Sequence, residues 1–149
     1  MSTEENKALI RRAYEVANRG NLTENLSTTD ESLAPDFVFH DPNIPFPAAG
    51  IRSREDYKQF VSGFLAALPG QFTIEDLIAE GEKVVFRYTY RGTHQGPWRG
   101  VPPTGKAVTF TGTITYRIVA GKAVEAWQNA DNLSVLHQLG LIPGPGQAS

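Results

Sequence analysis

The sequence predicts an α+β fold, a long curled antiparallel sheet closed on one side by helices from the N-terminal half. Three observations carry this expectation. Apolar residues recur with the 3.6-residue period of helices before residue 69, and only a short helical pattern returns near the end. Between residues 72 and 130 period-two alternation takes over, the signature of strands with two different faces. No internal repeat or linker interrupts the chain, so helices followed by strands read as segregated layers of one domain, residues 1–142, with a disordered tail at 143–149. Strands of this length would curl into a half-cone, with the helices closing its open side around an apolar cavity.

The elements follow in order. The first helix starts at Ser2, which stands in capping-box spacing with Glu5, and its apolar stripe is Leu9, Ala13, Val16 and Ala17 with Ile10 and Tyr14 beside them. A second, weaker helical segment spans residues 23–33, where ENLSTTDES is poor in helix formers. A short strand covers residues 37–41 and runs into a loop at 42–50, whose three prolines preclude regular structure. Ile44 and Phe46 in that loop either cover a cavity mouth or plug the core. Ser53 caps the strongest helix, in which Tyr57, Phe60, Val61, Phe64, Leu65 and Leu68 form a stripe of the kind usually buried as core, and Pro69-Gly70 stops it. Strands follow at residues 72–80 and 83–91. Leu133, Leu136, His137 and Gly140 indicate a final short helix.

The longest hairpin occupies residues 106–131. Val108, Phe110, Gly112, Ile114, Tyr116 and Ile118 share one face of its first arm, and four threonines with Arg117 share the other. On the second arm Val124, Ala126, Gln128 and Ala130 alternate with Glu125, Trp127, Asn129 and Asp131. A two-residue turn at Ala120-Gly121 would, in regular pairing, join the Trp127 face to the Phe110 face. A three-residue loop, Val119-Ala120-Gly121 with a glycine bulge, pairs even positions with even ones. The second is expected, because Ala is a poor residue for positive φ and this register gathers the apolar side chains. Gln128 is then a polar group among apolar neighbours and needs a partner or a ligand. Trp127, on the threonine face, suits a subunit contact.

Composition narrows the function. At 149 residues with 40% hydrophobic and 20% charged content, the chain reads as a soluble cytoplasmic protein able to bury its own core. A net charge of −2 offers no footprint for nucleic acid or an anionic membrane. No apolar run approaches the ~18 residues of a membrane span. The absence of cysteine removes thiol catalysis and thiolate metal sites, and histidines at 40, 94 and 137 lack metal-ligand spacing, so metal dependence is not expected.

Candidate chemistry lies at few positions. His40 and Asp41 are adjacent on a strand, so only one can face a cavity: His40 as a proton carrier near neutrality, or Asp41, unless it merely caps the turn before Pro42. Asp131 either caps the last helix or acts as a base. Gln128 can only donate or accept hydrogen bonds, for example to a developing oxyanion. His94 and Trp98 are turn and packing residues or ligand contacts, and Tyr14, Tyr88 and Tyr116 are core residues or hydroxyls offered to a ligand.

The chain resembles the SnoaL-like polyketide cyclase (ester cyclase) family of the NTF2-like superfamily. The similarity runs from NKALIRRAYEVANRGN to HQLG through APDFVFHDP, YKQFV after Gly50, IEDLIAEG, YRIVAGK and the closing D-x-L-x-x-L-x-QLG, with RGTHQGPWRGVPPTGK the most specific. The resemblance implies a cone-shaped α+β barrel, a homodimer through the sheet, and a cofactor-free, metal-free intramolecular aldol ring closure. It also implies that the family's catalytic Asp falls at Gln128 and its partnering His at Ile114, so the usual acid–base pair is absent. The function expected is a cyclase or isomerase acting on a small apolar carbonyl compound. Gln128 would orient an oxygen, His40, Asp41 or Asp131 would move the proton, and Tyr14, Phe64, Tyr88, His94, Trp98, Phe110, Ile114 and Tyr116 would contact substrate. The alternatives are a non-catalytic binding module, or a hydrolase or oxygenation-linked enzyme on the same scaffold.

Overall fold

The computed structural model of the chain describes residues 2–44 and 50–143. Helix α1 (Thr3–Ala17) begins as the capping box requires: the Glu5 amide donates to Ser2 Oγ at 3.1 Å, and the Ser2 amide to Glu5 Oε1 at 3.2 Å. Its buried residues are Asn6, Ile10 and Tyr14, one turn apart, together with Val16. Leu9, Ala13 and Ala17 are only half-buried, which rotates the expected stripe by about one position. Helix α2 (Leu22–Ser32) exists despite its composition, because the Asn21 side chain caps it and two of its buried hydroxyls are satisfied within the helix. Thr29 and Ser32 donate to the carbonyls of Asn25 and Thr28 at 3.0 and 2.8 Å, so a polar helix face can turn inward.

Five strands form one sheet in the order β1-β5-β4-β3-β2: β1 (Leu33–His40), β2 (Gly70–Glu80), β3 (Lys83–Thr93), β4 (Ala107–Val119) and β5 (Lys122–Ala130). Every pairing is antiparallel except β1 with β5, which is parallel. Strand β1 starts at Leu33, four residues before the expected Phe37, because Pro35 sits in an irregularity between the Leu33 and Val38 pairings, where its missing N–H breaks no ladder. The sheet curls but does not close, leaving β1 and β2 as edges. Helix α1 lies against β2 and β3, helix α3 (Arg54–Ala67) against β1, and α2 touches both helices. Asn18, at the end of α1, binds the β2 edge like a short strand: it donates to the Phe72 carbonyl at 2.8 Å and accepts from the Phe72 amide at 2.7 Å.

The concave face carries the core. Val84, Phe86, Tyr88 and Tyr90 of β3 stand opposite Tyr116, Ile114, Gly112 and Phe110 of β4, all buried. Evenly numbered residues of β4 and β5 pair, Ile114 with Gln128 and Tyr116 with Ala126, as the register predicts. The turn that produces this register differs from the one expected. Val119 pairs with Lys122 across a two-residue turn in which Ala120 (φ 51°) and Gly121 (φ 80°) both adopt positive φ. A bulge then restores parity: Ile118 opposes Ala123 while Arg117 opposes Glu125, so Val124 is the extra residue and Ala123 the buried one. Ala tolerates the first turn position because the flanking ladder fixes the strand twist that a turn of this type matches.

Two further expectations change. The α3 stripe is packed core only at its end, where Leu68 at the C-cap is buried beside Ala67. Tyr57, Phe60, Val61, Phe64 and Leu65 are half-buried and border a cavity, the three aromatic rings packing on the core with their other side. In helix α4 (Asn132–Gln138) and just after it, Val135 and Leu139 are the buried residues, while Leu133 is exposed. Phe46 and the tail beyond Pro143 lie outside the described residues. No helix among the described residues is long and apolar enough to cross a membrane.

Candidate active site

Between the concave sheet face and the helices lies a cavity of about 140 Å³, room for on the order of ten water-sized groups. Its wall is aromatic and aliphatic, supplied by α1 (Ile10, Tyr14), α3 (Tyr57, Phe60, Phe64) and the inward positions of β2, β3 and β4. Among the described residues that line it, only two carry charge, Asp41 and Arg99.

Asp41 follows the last residue of β1. Its neighbour His40 pairs with Trp127 of β5, so the two share the convex face, and the alternation of β1 turns Asp41 inward. His40 therefore does not reach the cavity. Its Nε2 lies 2.7 Å from Glu125 Oε2, and its ring stacks on Trp127 at 5.5 Å. That contact holds the Glu125 carboxyl below the ordinary range, with Arg117 adding to it. Trp127 lies on the threonine face, as expected, and is half covered by His40 and by Lys83, whose Nζ is 5.5 Å from the ring centroid.

Asp41 both caps its turn and faces the cavity. Oδ1 accepts from the Asn43 amide at 2.8 Å, and Oδ2 accepts from Gln128 Nε2 at 2.7 Å. Gln128 Oε1 in turn accepts from the Tyr88 hydroxyl at 2.7 Å. A carboxylate has no donor, and the Gln128 amide accordingly sets its nitrogen toward Asp41 and its oxygen toward Tyr88. The half-buried carboxamide thus has its partners. Burial and the Asp41 charge both raise the Tyr88 phenol, so it stays a neutral donor.

Gly112 makes this relay possible. Tyr88 starts on β3 and passes over Gly112 of β4 to reach Gln128 on β5. A Cβ at residue 112 would stand 2.9 Å from Tyr88 Cε1 and closer still to Cζ and the hydroxyl. Gly112→Val is therefore expected to destabilise the protein by about 2–3 kcal/mol in denaturant unfolding, although Val is the better strand former. A change within about 0.5 kcal/mol, the range of indifferent substitutions, would show that Tyr88 does not lie across that strand.

At the helix side of the cavity three phenols converge. The Tyr14 and Tyr116 hydroxyls share a hydrogen bond and Tyr57 stands beside them. Burial pushes Tyr14 and Tyr116 well above the ordinary phenol range and Tyr57 up to about 12, so all three are neutral at physiological pH.

The remaining expected site residues divide. Phe64, Trp98, Phe110, Ile114 and Tyr116 line the cavity with Tyr14, Tyr88 and Gln128. His94 does not: it is fully buried, and its Nδ1 accepts from the Thr104 amide at 3.2 Å, closing the loop between β3 and β4. A side chain committed to its own loop is withdrawn from substrate. Asp131 is the N-cap of α4, accepting from the Ser134 amide at 3.1 Å, and lies away from the cavity. Sequence reasoning missed Tyr57 as a cavity hydroxyl and missed Arg99 altogether. The signal for Arg99 was the Trp-Arg-Gly-Val run, a two-residue hairpin turn whose tip folds back over the cavity.

A curled, open sheet over an aromatic cavity, closed by N-terminal helices, is the NTF2-like fold. The chain belongs to the SnoaL-like polyketide cyclase family, whose model matches residues 7–139. Solved structures agree. AclR of Streptomyces galilaeus, a proposed hydroxylase, is 30% identical with a TM-score of 0.79, covering 98% of this chain and 87% of its own. IdmH of Streptomyces antibioticus, a proposed polyketide cyclase, is 34% identical with a TM-score of 0.74, covering 89% of this chain and 96% of its own. A pathogen-related protein of Hordeum vulgare is 30% identical over 115 residues, 74% of this chain, and the matched part spans 43% of that protein's length.

Proposed function

We propose that this protein is a cofactor-free enzyme that removes a proton next to a carbonyl in a small apolar substrate and directs the resulting enolate to ring closure or isomerisation. The observation that carries this reading is Asp41, the single carboxylate among the described residues that line the cavity, held by Gln128 and Asn43 inside a wall of aromatic rings. Asp41 takes the α-proton. In the ring-closing case the enolate carbon attacks a second carbonyl of the same molecule, and the new alkoxide takes the proton back from Asp41. Gln128 fixes the base through one N–H and has a second N–H for the accepting carbonyl. The aromatic walls hold the substrate folded, so that both carbonyls meet in one encounter. The family match and the identity with IdmH support this assignment.

The similarity to AclR favours a second reading, an oxygenation-linked step. An enolate is the electron-rich species that reading also needs, so both begin with the same proton removal. The test is solvent exchange: β-tetralone, a bicyclic ketone, is incubated with the protein in heavy water and the loss of its α-proton signals is followed by NMR. Exchange faster than that produced by the same concentration of free acetate is expected. A rate no higher than with acetate overturns the proposal.

A further inference from the structure

Arg99 is the second charged residue among the described lining of the cavity; it is an exposed residue at the cavity's edge, and proton transfer to Asp41 does not use it. It sits at the tip of a tight hairpin in which Trp98 and Val101 exchange backbone hydrogen bonds of 3.0 and 2.8 Å. Arg99 (φ 51°) and Gly100 (φ 79°) both adopt positive φ, a conformation that Asn or Gly would take more readily. Strain alone indicates no function, since Ala120 shares it. What distinguishes Arg99 is where its guanidinium goes. It folds over the Trp98 ring, 4.9 Å from the centroid, donates to the Asn43 carbonyl, and borders the cavity. Burial pulls it below the ordinary arginine range, while the charge of Asp41 opposes that pull. The base and this cation are linked through one residue, because Asn43 gives its amide to Asp41 and its carbonyl to Arg99.

Charge conservation then makes a demand. Before proton transfer the described lining holds one negative group, Asp41, and one positive group, Arg99. Afterwards Asp41 is neutral and the negative charge sits on the substrate oxygen. Moving a charge within an apolar cavity is costly unless a fixed opposite charge faces both positions. The tyrosine cluster is less suited, because its hydroxyls are neutral and two of them are engaged with each other. We propose that Arg99 receives the enolate oxygen, and so selects planar ketones or β-dicarbonyl compounds whose oxygen points to the Trp98 hairpin while the α-carbon lies against Asp41. This inference rests on the proton-abstraction reading.

The test uses para-nitrophenol as an enolate mimic whose absorbance reports its own ionisation. It is bound to the Asp41→Asn variant, in which the amide stands in for the protonated base. Bound nitrophenol is expected to ionise about one pH unit lower than in solution, a tenfold shift toward phenolate. Adding Arg99→Gln should abolish the shift, and adding Arg99→Lys should keep part of it, since a point charge remains without the planar fork. The proposal is overturned if the shift survives Arg99→Gln, if Tyr116→Phe removes it instead, or if no phenolate binds at all. Thermal melts of each variant establish that it is folded. The β-tetralone experiment remains separate. Arg99-dependent phenolate binding without solvent exchange would leave an oxyanion site standing and remove the catalytic reading.

Discussion

Asp41→Asn is expected to slow β-tetralone exchange by about 10²–10⁴-fold while leaving the fold intact, because it deletes the general base and little else. The asparagine oxygen can still accept from the Asn43 amide. Its NH₂ then faces Gln128, whose carboxamide must turn over to present oxygen. The Tyr88 hydroxyl would accept from Gln128 instead of donating, and one phenolic proton would lose its acceptor. That rearrangement costs about 1 kcal/mol, the net worth of one hydrogen bond, and should appear as a small drop in denaturation midpoint. Asp131→Asn is the control, since asparagine caps a helix about as well as aspartate. Exchange unaffected by Asp41→Asn but lost in Asp131→Asn would move the base to the end of β5, against the geometry. His40→Ala should leave the rate unchanged, because its imidazole lies on the opposite face of the sheet, against Trp127 and Glu125.

What could be read from the sequence divides along physical lines. Periodicity locates the helices and strands, and the apolar alternation of β4 and β5 sets their register even though the turn between them is not the type expected. The register is held by many buried side chains, whereas the turn is two residues whose strain the rest of the hairpin absorbs. Alternation also determined that only one of His40 and Asp41 could face inward. Which one depended on the pairing of β1 with β5, a long-range parallel contact that leaves no local trace. The α3 stripe shows the converse limit, since a helix facing a cavity and a helix facing a core have the same period. Gln128 stood out as polar among apolar neighbours, but its partners come from β3 and from beyond β1, 40 and 87 residues away along the chain. The Trp-Arg-Gly-Val run marks a turn at Arg99 but not what the turn covers, because an arginine in a glycine- and proline-rich loop looks solvated until the loop is folded over something.

The contact between Gln128 and Asp41 also predicts how stability should respond to pH once the amide is made acidic. Gln128→Glu keeps the shape of the side chain but places a second carboxyl oxygen where Nε2 now lies, 2.7 Å from Asp41. Two carboxylates at that separation cannot both ionise, so the pair holds one proton to well above the ordinary carboxyl range. In the unfolded chain both titrate normally, near pH 4. Between that pH and the raised value the folded variant binds more protons than the unfolded one, so its stability falls as pH rises. For an upward shift of two to three units the loss by neutral pH is about 3–4 kcal/mol relative to mildly acidic solution. Gln128→Leu, which removes the hydrogen bonds without adding a carboxyl, should lose stability with no added pH slope. Denaturation midpoints measured from acid to neutral pH separate the two variants, and a Gln128→Glu profile parallel to wild type would mean that residues 41 and 128 do not touch. Activity should respond in the opposite direction. The proton shared between residues 41 and 128 weakens Asp41 as a base, so exchange by Gln128→Glu should rise as that proton is lost, toward the upper end of the pH interval in which stability declines. Opposite slopes of this kind require that the group sharing the proton is also the group doing the chemistry.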